Sequence, residues 1–366
     1  MKIYSGHRIV RDLLLTIISS ITLFSGAVNA EQFNLPTDIP GPLTLSGRGS
    51  FYVGGESVKQ TYVEMGSQRA ADTATINQMY VEYMRPQKIT HSPVILIHGA
   101  GQSGSAWDTT PDGRMGWYEY FVRNGFPTYV IDQVGRARSG FNQAIFNNVA
   151  EGSISHEKQP RIIRPGDTHA LWINMRLGPV MGTPYPDSQF PLSSFSALSR
   201  MGIPDLSAAV STPNPTLKNL SILAKALKGA ILISHSQSGA FPLQTALLDS
   251  KNIKAMVLIE PGTCENAHLS DTQVTRLSTI PLLVVYGDHL TASTELPGNG
   301  AGWMQRKDEC NTLVSRFRAK GGHADMFYLP DMGIHGNSHM MMMDKNNLQI
   351  SELIKKWLNK NIQNSV

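Results

Sequence analysis

Gly229-Ala-Ile-Leu-Ile-Ser-His-Ser-Gln-Ser-Gly239 is the stretch that decides the fold of this chain. Ala230 to Ile233 is a continuous apolar run, the pattern of a strand buried on both faces. Gly239 to Leu248 reads as a helix, so strand passes to helix through one sharp turn with Ser236 at its tip. Such a turn forces the tip residue into a strained backbone conformation. Side chains two positions away on either side would collide with neighbouring backbone. Ser234 and Ser238 fill those positions with small residues, and Gly239 adds relief one residue later. The competing reading is a serine-rich helix cap, because serine is a favoured N-cap.

Outward from this turn the chain alternates strands and helices. Gly49 to Val53 and Gln78 to Met84 read as two early strands, after a lead-in rich in Pro and Gly over 31–48. Pro93 to Ile97, Thr128 to Ile131, Ala255 to Ile259, Leu282 to Tyr286 and Met326 to Leu329 read as further strands. Gly116 to Asn124, Thr216 to Leu227 and Leu348 to Asn359 read as helices. Uniformly apolar strands alternating with helices specify an α/β class, a mostly parallel central sheet with helices on both faces. Residues 141–214 break the alternation, with prolines at 160, 165, 179, 184, 186, 191, 204 and 213 and one helical piece, Asp167 to Gly178. A long segment of this kind inside an α/β pattern reads as an inserted cap or lid over a site.

Composition narrows the function classes. The 366 residues are 41% hydrophobic and 16% charged, which is globular and long enough for one large α/β core plus an insertion. The net charge is +4, and removing residues 1–30 leaves 29 basic against 27 acidic side chains. That balance gives no argument for a nucleic-acid partner. Two cysteines exclude a disulfide scaffold, an iron–sulfur protein and a zinc ribbon. Lys2, Arg8 and Arg11, the apolar run Leu13 to Phe24 and the small-residue site Val28-Asn29-Ala30 read as a signal peptide over 1–30. The apolar run falls short of the roughly 20 residues that span a bilayer. The mature chain is therefore expected to be secreted or periplasmic, without stable membrane insertion, where disulfides can form.

A serine at such a tip attacks an acyl carbon only with a base and an oxyanion site. His98-Gly99-Ala100-Gly101 follows the strand 93–97, so the backbone N–H groups of Ala100 and Gln237 are the candidate oxyanion donors. His98 reads as a structural hydrogen-bonding residue. The base is expected after the last strand, where Gly333-Ile-His335-Gly-Asn-Ser-His339 offers two histidines that order alone does not separate. A zinc reading of their i, i+4 spacing is set aside, because Gly336-Asn337 is poor helix and no H-E-x-x-H glutamate is present. The acid is Glu260, at the end of the next strand, or Asp288, after the strand beyond it. The commonest arrangement for this architecture favours Asp288. Trp107, Trp117, Trp172 and Met340 to Met343 read as packing, and Arg136 and Arg138 as a solvated loop.

With these residues in hand, the chain resembles secreted bacterial serine esterases of the α/β-hydrolase fold. The resemblance is carried by Thr109 to Trp117, Thr128 to Gln133, Ser234-His-Ser-Gln-Ser-Gly239, Glu260-Pro-Gly262, Val285-Tyr-Gly-Asp-His289 and His335 to Met342. It implies the α/β-hydrolase fold, Ser236 as nucleophile, His339 as base and Glu260 as acid, leaving Asp288 as the alternative acid. It also implies a disulfide between Cys264 and Cys310. Where related esterases carry adjacent cysteines in the oxyanion loop, this chain has Ala100-Gly101. The implied activity is hydrolysis of a small-molecule carboxylic ester through an acyl-enzyme, with no metal or organic cofactor. The same triad would serve a lactonase, acyltransferase or peptidase, and a catalytically dead binding protein is the other class. The sequence leaves the oligomeric state open, a homodimer included.

Overall fold

The computed structural model describes residues 41–67, 70–164, 169–206, 210–291 and 302–362. The expected signal peptide, 1–30, lies outside them. Eight strands form one sheet: β1 (Leu45–Gln60), β2 (Asp72–Pro86), β3 (Val94–Ile97), β4 (Thr128–Asp132), β5 (Ala230–His235), β6 (Ile253–Ile259), β7 (Leu282–Tyr286) and β8 (Ala324–Tyr328). Their order is β1-β2-β4-β3-β5-β6-β7-β8. β2 is antiparallel to β1 and β4, and every pair from β4 through β8 is parallel.

Parallel strands need coverage on both faces, and the helices supply it. α5 (Pro215–Ala226), α6 (Phe241–Leu248), α7 (Asp271–Leu277) and α8 (Trp303–Ala319) contribute Leu220, Leu223, Leu243, Val274 and Leu313 to one core layer. α1 (Trp117–Arg123) and α9 (Asn347–Asn361) contribute Trp117, Phe121, Ile350, Ile354 and Leu358 to the other. Ile350, Ile354, Trp357 and Leu358 fall at i, i+4, i+7 and i+8, the apolar stripe of a helix lying on a sheet. The chain leaves β3 to one side for β4, then returns to the other side for β5. That reversal opens a crevice beyond the carboxyl ends of β3 and β5.

Three sequence expectations need correction. The early strands run far beyond 49–53 and 78–84, pairing in register from Gly47↔Arg85 to Gln60↔Asp72. β2 reaches β4 only over Tyr80–Met84, so half of this hairpin extends past the sheet. Beyond Val53 and Met79, which join the core, its residues are mostly exposed or half-buried and show little apolar alternation. The described residues of 141–214 hold three α-helices rather than one: α2 (Ala144–Ala150), α3 (His169–Asn174) and α4 (Phe195–Arg200). The segment is also part of the core, because Leu171, Trp172, Ile173, Leu177, Phe190 and Leu198 are buried in the second layer. The helix expected from Gly239 begins as a tight 3-10 turn, Ser236–Ser238, before α6.

Cys264 and Cys310 form a disulfide that ties the turn after β6 to α8, 46 residues apart. Replacing both with Ser is expected to lower unfolding free energy by up to about 4 kcal/mol, the loop-closure value for this separation. Urea denaturation checks this, and an unchanged midpoint would show that the bridge carries no stability.

Candidate active site

β5 lies in the middle of the sheet with all six residues buried. At its end Ser236 takes φ +58°, a left-handed conformation rare for a side chain with a Cβ. The Ser236 carbonyl accepts the amides of Gly239 and Gly262, each at 2.9 Å, and this holds the turn. A Cβ on Gly99 would sit 2.9 Å from Ser236 Cβ, and one on Gly239 would sit 2.5 Å from Pro261 Cβ. Only glycine lets these backbones approach so closely. The two small serines do more than fit. Ser234 Oγ donates to Gly239 O at 3.2 Å, and Ser238 Oγ lies 3.0 Å from His235 O and accepts His235 N–H.

Two further segments converge on this turn. Glu260 follows β6 with φ +47° and no solvent exposure. His339 lies in the irregular segment after β8 and is also buried. His339 Nε2 is 2.8 Å from Ser236 Oγ, and Nδ1 is 3.1 Å from Glu260 Oε2. This geometry places the ring proton on Nδ1, facing the carboxylate, and leaves Nε2 to accept from the serine hydroxyl. Burial lowers the imidazole pKa, against the hydrogen bond and charge of Glu260, so the ring is neutral at neutral pH.

Glu260 is the costly member of the set. Burial alone would raise its pKa, but the Arg176 charge, with hydrogen bonds from His339 and Arg176, holds it at about 2. Arg176 Nη2 donates to Glu260 Oε1 at 2.6 Å, the Gly287 amide donates to the same oxygen, and Arg176 Nε donates to Asp288 O at 2.8 Å. The imidazole of His339 also packs against Trp303 (4.5 Å between centroids) and His235 (4.7 Å). Burial pushes His235 down to about 3, and its Nε2–H donates to the His339 carbonyl at 2.9 Å. Sequence reasoning missed Arg176 and Trp303, because each depends on contacts with residues distant along the chain.

The alternatives fall elsewhere. Asp288, the other candidate acid, makes no hydrogen bond to His339 among the described residues. Its carboxylate accepts the Gly336 amide at 3.0 Å and the His289 amide at 2.6 Å, with His335 Nδ1 at 3.4 Å. His335 points to that carboxylate and is largely exposed, so the two histidines face different partners. Asp187, Asp288 and His289 bring three ligand atoms within 4.8 Å, but His289 Nε2 already pairs with Asp187 at 2.9 Å. Trp107, Trp117, Trp172 and Met340 to Met343 are buried in the core, as packing residues would be. Of the two loop arginines, Arg138 is exposed, as the sequence suggests, and Arg136 is not. Arg136 is 2% exposed and pairs with Asp205, and Arg138 pairs with Asp132 and Glu82. The loops carrying Ala100 and Gln237 meet at the Gly99–Ser236 approach.

The chain is 43% identical to a solved structure described as the atomic-resolution structure of a novel bacterial esterase, with a TM-score of 0.82. The match covers 89% of this chain and 99% of that one. The chain belongs to the esterases of the α/β-hydrolase fold. It is a carboxylic-ester hydrolase. The esterase is also 26% identical over 389 residues to phiG, a probable secreted lipase of a fungus (Fungal sp., strain ATCC 74256), covering 95% of this chain and 98% of that protein. No protein-family model matches the esterase. No helix among its described residues is long and apolar enough to cross a membrane.

The Arg176–Glu260 pair sets a pH signature. Glu260 sits at about 2 when folded against 4.5 unfolded, so its contribution is present above 4.5 and is lost as pH falls toward 2. Arg176→Met strands the buried carboxylate and is expected to cost about 3–5 kcal/mol at pH 7. The deficit should shrink between pH 5 and pH 3 as the carboxyl takes up a proton. Urea denaturation at the three pH values checks this, and a deficit independent of pH would contradict it.

Proposed function

We propose that this esterase acts through Ser236 as nucleophile, His339 as general base and acid, and Glu260 as the carboxylate that orients and stabilises the imidazolium. The observation that carries the reading is the continuous contact from Ser236 Oγ to His339 Nε2 and from His339 Nδ1 to Glu260. His339 takes the serine proton as Oγ attacks the ester carbonyl. The backbone N–H groups of Ala100 and Gln237 stabilise the oxyanion. His339 then protonates the departing alcohol, leaving an acyl group on Ser236. Water, deprotonated by His339, releases the acid. The chain supplies nucleophile, base and oxyanion donors for every step. The substrate is a small-molecule carboxylic ester, and residues 141–214 act as the cap over it. Residues 1–30 act as a signal peptide, which places the mature enzyme outside the cytoplasm. The fungal relative, described as a probable secreted lipase, and the paired Cys264 and Cys310 support that placement.

Ser236→Ala is expected to reduce turnover of a short p-nitrophenyl ester by about 10⁴-fold or more and to abolish labelling by an organophosphate. Retained labelling of the variant would overturn the assignment. Between the two acids, Glu260→Gln is expected to cost about 10²–10⁴-fold in kcat and Asp288→Asn less than about 10-fold. A larger loss for Asp288→Asn would reverse the choice. Because burial lowers the His339 pKa below 6.5, kcat/KM should rise with pH through a midpoint below that value and then stay level. A midpoint above 6.5 in a pH-rate profile would contradict the buried neutral base.

A further inference from the structure

The inserted segment reaches the proposed oxyanion loop through a buried ion pair. Arg136, in the loop after β4, is 2% exposed, and its Nη2 lies 2.8 Å from Asp205 Oδ1. Asp205 belongs to the inserted segment. The same guanidinium sends Nη1 to the Gly99 carbonyl at 3.3 Å. The other carboxylate oxygen of Asp205 accepts the Gln237 side-chain amide at 3.3 Å. A second bond between insertion and loop lies nearby, where Ile203 N–H donates to Gly101 O at 2.8 Å.

The Gly99 carbonyl also accepts from His98. Gln133 N–H donates to His98 Nε2 at 3.0 Å, so the ring proton sits on Nδ1, which is 2.8 Å from Gly99 O. This carbonyl belongs to the same planar peptide as the Ala100 N–H. Fixing the oxygen therefore fixes the direction of that N–H. Donation into a carbonyl also draws charge from its amide nitrogen and strengthens the N–H as a donor.

We propose that Arg136, held by Asp205, is a positioning residue for the oxyanion site: it orients the Gly99–Ala100 peptide, while the same carboxylate anchors Gln237. This rests on the reading of Ala100 and Gln237 amides as oxyanion donors. The ion pair touches neither Ser236 nor the ester. It acts by keeping both donors aimed before charge develops, which is the condition for electrostatic stabilisation of a transition state. It also makes donor alignment depend on the docked insertion, so loosening the insertion would lower kcat before it lowered substrate binding.

The test uses the full chain with Arg136→Lys, which keeps the buried charge but not the two-armed fork. A second variant, Arg136→Met with Asp205→Leu, removes both charges and leaves neither stranded. Reactive Ser236 is counted by organophosphate titration, so that kcat and KM for a short p-nitrophenyl ester refer to each working site. The dissociation constant of an aryl trifluoromethyl ketone, whose serine adduct carries an oxyanion, is measured beside them. The expected result is a loss of about 10–100-fold in kcat per titrated site, KM within about 3-fold, and ketone affinity weakened by the same factor as kcat. The midpoint of the pH-rate profile should not move, because Glu260 and His339 are untouched. Unchanged kcat per site, or a fall in kcat without loss of ketone affinity, would overturn the brace. Failure of the wild-type enzyme to be labelled at Ser236 or inhibited by the ketone would instead overturn the nucleophile assignment itself.

Discussion

Glu260 carries a charge where water cannot reach it, and the construction of the site follows from that constraint. A buried carboxylate is unfavourable unless its oxygens are matched by donors and an opposite charge. Arg176 comes from the turn after α3, Gly287 from the end of β7 and His339 from the segment after β8. Three separate parts of the chain are therefore drawn to one anion. The positive φ of Glu260 is tolerated because the surrounding contacts over-determine it, as they do for Ser236.

His339 needs similar support, because it sits on a stretch with no regular hydrogen-bond ladder of its own. Neighbouring residues supply the missing partners. Asp344 accepts the Ser338 amide at 2.8 Å, the Ser338 hydroxyl at 2.7 Å and the Asn337 side chain at 2.9 Å. Arg114 donates to the carbonyls of Met343 and Asp344, each at 3.0 Å. The Met175 carbonyl accepts the His339 amide at 2.9 Å. Met340 to Met343 then fill the core beneath the segment, where unbranched side chains adapt to an irregular backbone. His339 is fixed from both sides, by polar bonds around its backbone and by apolar packing below.

The central strands were legible because their burial is uniform. β7 has the bounds its apolar run announces, Leu282 to Tyr286, and β3 and β4 differ from theirs by a single residue at one end. β1 was not legible over its full length, because most of its residues beyond Val53 are exposed. The Ser236 turn could be read from its place between a buried strand and a helix, with small residues on either side, against the competing reading of a serine-rich helix cap. His339 could not be separated from His335 by order, as both follow β8, and only the resemblance chose between them. The general expectation for the acid pointed to Asp288, whose carboxylate in fact serves the amides of Gly336 and His289. Arg136 was misread as solvated because a charged loop gives no hint of the Asp205 carboxylate that meets it 69 positions later. Arg176 shows the same limit, since nothing local to it announces Glu260.

The proposed mechanism attaches an acyl group covalently to the oxygen of Ser236. Rapid acid quenching during turnover of a slowly deacylating ester, followed by intact-mass measurement and peptide mapping, observes that attachment directly. The expected result is a mass increase equal to the acyl group, located on the peptide containing Ser236 and discharged at the rate of product formation. Steady turnover with no acyl adduct, or with the adduct on another residue, would contradict it.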